Sequence, residues 1–110
     1  MKEIKAYVKE IFLEHVLGRL TEEGASDVAV SHVVAIGAFA DDEQFRLKMF
    51  RQYWEKYSDI AKVEIVCADD EVDRFVRVLR ERSYTGEQGD GRIFILNIER
   101  AINIRTGEEG

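Results

Sequence analysis

Within Thr85-Gly86-Glu87-Gln88-Gly89-Asp90-Gly91-Arg92-Ile93-Phe94, a glycine-rich turn, a cation and an apolar run meet. Glycines let backbone N–H groups turn toward an anion at positive φ with no Cβ in the way. Arg92, directly after Gly91, supplies a charge that can bind a phosphate oxygen. The same spacing also serves as a plain hairpin turn, and on spacing alone the turn is the commoner use. Other reactive side chains do not assemble in this way. His15 falls in a helical pattern and His32 in a strand pattern, each without a ligand-spaced partner, so no metal site is expected. Cys67 is the single cysteine and stands in an apolar run, the pattern of a buried inert thiol. No Ser/His/Asp or Cys/His constellation and no carboxylate pair points to catalysis, and Glu108 and Glu109 read as part of a solvated tail. The expectation is a binding protein, not an enzyme.

The elements that must position the loop fit one domain spanning 1–110. A chain of 110 residues with 45% hydrophobic content can bury one core and is too short for two ordinary domains. A net charge of −6 argues against a nucleic-acid surface, so any anion site is local. No apolar stretch reaches membrane-spanning length, and a start with Lys2, Glu3 and Lys5 is unlike a signal peptide, which leads to a cytoplasmic expectation without membrane insertion.

Ile4, Ala6 and Val8 alternate with Lys5, Tyr7 and Lys9, the period of a half-buried strand. Over residues 11–23 the period changes, with Phe12, Leu13, Val16, Leu17 and Leu20 at helical spacing and Gly24 at the C-cap position. A β run from Val28 to Phe39 follows, then a strand from Val63 to Cys67. Asp69-Asp70-Glu71 opens a second helix with acidic residues at its positive end, and Val72, Phe75, Val76 and Leu79 face inward. Arg92 to Asn97 reads as a fourth strand and Ala101 to Arg105 as a short fifth. The order predicts an α+β, ferredoxin-like βαββαβ sandwich with a short extra C-terminal strand. Val28, Val30, Val34 and Ile36 on one side, and Ala29, Val33 and Ala35 on the other, leave the sheet apolar on both faces. Two helices cover only one, so self-association is expected to cover the other.

The run Gly89-Asp90-Gly91-Arg92-Ile93-Phe94, followed by Glu99-Arg100-Ala101-Ile102-Asn103-Ile104-Arg105-Thr106-Gly107-Glu108-Glu109, closely resembles the C-terminal signature of the PII nitrogen-regulatory signalling proteins. The resemblance implies a trimer that binds ATP, ADP or AMP in clefts between subunits. Matched position by position, it implies nucleotide-binding roles for Gly37, Glu64, Val66, Thr85, Gly86, Gly89, Asp90, Gly91, Arg92 and Arg105. Tyr7 and Ala29 take base-contacting positions where the family usually has an aliphatic residue and a Thr, and Tyr7 reads equally as an interface aromatic. Asn103 stands where a phosphate-binding Arg is usual. One charge-assisted contact fewer is worth about 1.5–3 kcal/mol, so ADP or AMP is expected to rival ATP.

The family's long T-loop has no counterpart in composition. Residues 38–59 replace it, and Asp41 to Asp59 reads as an amphipathic helix with Leu47, Phe50, Trp54 and Tyr57 on one stripe, widened by Phe45, Met49 and Tyr53. The stripe has two readings: a helix packed on its own subunit, or a surface in which Phe50, Trp54 and Tyr57 dock on a partner. With the usual loop missing, a divergent member is expected, regulating a transporter or metabolic enzyme in inorganic-carbon or nitrogen metabolism, with bicarbonate or another small anion as a further ligand. The alternative is a CutA-like trimer, metal-related or structural, without nucleotide binding; the loop with Arg92 and Arg105 speaks against it.

Overall fold

A computed structural model describes residues 1–41 and 59–110. The helix expected over Asp41–Asp59, with its candidate contacts Phe50, Trp54 and Tyr57, lies outside the described residues apart from its two ends. Four strands, β1 (Lys2–Lys9), β2 (Asp27–Val33), β3 (Ile60–Cys67) and β4 (Gly91–Asn97), form one antiparallel sheet in the order β2-β3-β1-β4. Helices α1 (Leu13–Glu22) and α2 (Val72–Ser83) pack against each other on one face. This is the ferredoxin-like arrangement expected from the alternation of periods.

The core forms where those periods converge. Ile4, Ala6 and Val8 of β1 and Ala61, Val63, Ile65 and Cys67 of β3 meet Val16 and Leu20 of α1 and Phe75, Val78 and Leu79 of α2. Burial pushes the Cys67 thiol up from its ordinary pKa, which agrees with an inert role. Helix α1 ends in a Schellman motif: Gly24 has φ 95°, its N–H donates to Thr21 O at 3.1 Å, and Ala25 N–H donates to Leu20 O at 2.9 Å. Helix α2 is led in by a 3-10 turn at Asp69–Glu71, where the Glu71 carboxylate accepts from Ala68 N–H at 3.0 Å.

Three expectations change. The β run from Val28 stops at Val33, because its neighbour β3 begins at Ile60, the residue paired with Val33. Past that point the chain turns through a 3-10 segment, Gly37–Ala40, entered at φ 71° at Gly37. The fifth strand reduces to one antiparallel bridge between Ile102 and Glu109, closing a tight C-terminal turn. Finally, the face away from the helices is mixed, not continuously apolar. By register, Val28 and Val30 belong to the helix side, opposite the buried Ile65 and Val63, and are half-open because β2 is an edge strand. The other face sets ion pairs, Lys5–Glu3 at 3.5 Å and Lys62–Glu64 at 3.3 Å, among Tyr7, Phe94, Val66 and Leu96. Among the described residues, no helix is long and apolar enough to cross a membrane.

Candidate functional site

The glycine loop runs from the end of α2 into β4 and is tied together by one carboxylate. Asp90 accepts from Thr85 N–H at 2.8 Å, from Gly86 N–H at 3.0 Å and from the Thr85 hydroxyl. Glu87 N–H donates to Thr85 Oγ1 at 3.2 Å, continuing the same turn. Lys9, at the end of β1, places its Nζ 3.4 Å from Asp90 Oδ1. Burial raises the pKa of Asp90, but these hydrogen bonds from Thr85, Gly86 and Lys9 outweigh it and hold the carboxyl below its ordinary value. Asp90 is therefore the loop's organiser, ionised and turned toward its own backbone.

Gly91 follows at φ 110°, so close to β1 that an added Cβ would stand 1.8 Å from the Tyr7 carbonyl oxygen. Only glycine fits there, and the fit brings Arg92 directly opposite Tyr7 in the β1–β4 ladder. Arg92 Nη2 lies 3.6 Å from Asp41 Oδ1. Tyr7, Phe39 and Phe94 form an aromatic cluster beside it, with ring centroids 5.0 Å apart for Tyr7–Phe39 and 5.5 Å for Phe39–Phe94.

A cavity of about 400 Å³ opens between this loop and the end of α2. It gathers Tyr7, Gly86, Asp90, Gly91 and Arg92 from the sequence-predicted set. Thr85 stands behind the loop as Asp90's partner, and Gly89, at φ 100°, supplies the reversal between Gly86 and Gly91. Glu64 and Val66 do not line it. They stand on β3 opposite Lys5 and Glu3, on the open sheet face. Gly37 starts the turn that carries Phe39 to Tyr7, and Arg105 lies in the exposed C-terminal turn. In that turn Asn103 Oδ1 accepts from Arg105 N–H at 2.9 Å and Thr106 N–H at 3.0 Å, a turn-closing role the sequence reading does not contain.

Lys9, Asp41, Arg80 and Ser83 also belong to the site's surroundings, and sequence reasoning missed them. Arg80, Ser83 and Asp41 line the cavity, and Ser83 Oγ is buried with no partner among the described residues. Lys9 was readable in part: alternation puts it on the same face as Tyr7, two residues on. Among the described residues, no cluster of three or more His, Cys, Asp or Glu is arranged to hold a metal ion. His32 instead lies 3.6 Å from Glu10 on the surface.

The chain matches a family model described as nitrogen regulatory protein P-II over residues 1–108. It is 37% identical over 112 residues to a nitrogen regulatory protein P-II of Bradyrhizobium diazoefficiens, covering 100% of this chain and 96% of that protein. A nitrogen regulatory protein P-II of Pasteurella multocida is 34% identical over 111 residues, covering 99% of this chain and 96% of the relative. Nitrogen regulatory protein P-II 1 of Escherichia coli is 35% identical over 111 residues, with the same coverage, 99% and 96%.

Proposed function

Because the chain belongs to the nitrogen regulatory protein P-II family, a family of signalling proteins, we propose that it is a homotrimer that binds ATP, ADP or AMP between its subunits. The state of that site is passed on to a protein target. One observation carries the reading: the loop held by Asp90, with Gly91 set against Tyr7 and Arg92 directly after it. Such a loop sets a glycine-lined backbone and a guanidinium beside one volume, which suits a phosphate group. Arg105 adds a second cation. The base then meets Tyr7 and Gly37 together with Ala29, Glu64 and Val66, which a neighbouring subunit contributes from its open sheet face. The exposed Val66 and Leu96 on that face favour a covering copy.

Residues 38–59 act as the output segment in place of a T-loop, with Phe50, Trp54 and Tyr57 facing the target. Ligand binding shifts the population of the form that engages it. The relatives' names direct the search for targets to nitrogen metabolism, with a transporter or metabolic enzyme as the class and bicarbonate or another small anion as a candidate second ligand.

Calorimetry of the full chain with ATP, ADP and AMP, with and without bicarbonate, tests the reading. Binding is expected, and Arg92→Ala should weaken it about tenfold through loss of a charge-assisted contact. No heat at millimolar nucleotide would remove the proposal, and unchanged affinity in Arg92→Ala would move the site elsewhere.

A further inference from the structure

The two aspartates of the loop cavity are committed differently. Asp90 spends its oxygens on the loop backbone, the Thr85 hydroxyl and Lys9. Asp41 faces Arg92, 3.6 Å from Nη2, within the same cavity. This placement is built by the fold. Asp41 sits at φ 59°, ψ 39°, and its N–H donates to Ala38 O at 3.2 Å, closing the 3-10 turn Gly37–Ala40. Phe39 in that turn packs on Tyr7, the β1 partner of Arg92, and on Phe94, two residues along β4 from Arg92. The turn and the guanidinium are thus anchored to the same part of the sheet.

We propose that Asp41 sets the phosphate affinity of the loop cavity, as a resident carboxylate on Arg92 that a phosphate-bearing ligand has to displace. The inference rests on the phosphate reading given above. A guanidinium offers the same N–H fork to a carboxylate as to a phosphate, so the two anions compete for it. Asp41 lowers affinity for every phosphate ligand and holds an ion pair with Arg92 that such a ligand replaces.

The test is a double-mutant cycle read by calorimetry on the full chain, with ADP as the probe. Asp41→Asn keeps the shape and tolerates the left-handed backbone, while Arg92→Gln removes the cation. Asp41→Asn should tighten ADP binding about two- to fivefold when Arg92 is present, the range of a partly exposed ion pair, and should change it little in the Arg92→Gln background. An equal gain in both backgrounds would reveal a general charge effect and overturn the proposal, as would no gain at all. If the unaltered chain binds ADP and Asp41→Asn binds it no better, only this inference fails. If the unaltered chain binds no ADP, the phosphate reading fails first.

Discussion

The Cα of Gly91 lies against the carbonyl of Tyr7, leaving only 1.8 Å between that oxygen and any added Cβ. Because the obstacle is backbone in an interior strand, it cannot rotate away. Gly91→Ala is therefore expected to cost about 3 kcal/mol or more, combining a clash with a φ of 110°. Gly89 also has positive φ, at 100°, but its added Cβ meets nothing within 4 Å, so Gly89→Ala should cost only about 1 kcal/mol. Urea midpoints at constant m-value compare the two; equal losses would mean that φ alone matters and the Tyr7 contact does not.

Gly18 is the opposite case. It lies inside α1, outside the positive-φ region, and an added Cβ has open space. Gly18→Ala should stabilise the fold by about 0.5–1 kcal/mol, since it gains helix propensity and restricts the unfolded chain. A raised thermal midpoint with unchanged ligand binding is the expected readout, and a lowered midpoint would point to close packing at that position.

Much of this framework was legible in the residues themselves. Helix α1 and its stop at Gly24 follow from helical spacing with a glycine at the cap, and β1 and the core follow from strict alternation, because both signals are local. The extent of β2 was not legible: Val33, Val34 and Ile36 continue the β-favouring pattern, but the strand ends where its partner ends, at Ile60. The site divides in the same way. Gly86, Asp90, Gly91 and Arg92 are neighbours in sequence, and their grouping could be read directly. The Lys9–Asp90 and Asp41–Arg92 pairs depend on which strands lie side by side, which periodicity does not specify. The role of Asn103 was hidden because its position suggests a phosphate contact, whereas its side chain is occupied with its own turn.

Asp90 makes loop order depend on pH. Its pKa is held below the ordinary carboxylate value of about 3.9, so its stabilisation is fully present above that value and is lost as pH falls through the lowered one. The amide resonances of Thr85 and Gly86, which donate to it, should report that titration. Their midpoint is expected below about 3.9, and Asp90→Ala should abolish the transition while lowering stability by about 1–2 kcal/mol. A midpoint above the ordinary value would mean that burial, not hydrogen bonding, governs the carboxyl.

Asn103 holds the backbone that presents Arg105. Its Oδ1 accepts from the N–H groups of Arg105 and Thr106, and its own N–H donates to Glu108 O at 2.8 Å, while the Ile104 side chain between them is fully exposed. With little packing to support the turn, these hydrogen bonds carry its order. Asn103→Ala should therefore weaken it by about 1 kcal/mol, seen as roughly fivefold faster hydrogen exchange at Arg105 and Thr106. Asn103→Asp, which keeps the acceptor, should restore slow exchange. If Arg105 meets the phosphates, Asn103→Ala should also weaken ADP binding, by less than removing the guanidinium in Arg105→Ala does, because the cation is loosened but still present. Faster exchange with unchanged ADP affinity in both variants would detach the C-terminal turn from the ligand site and leave the glycine loop and Arg92 as the phosphate contacts.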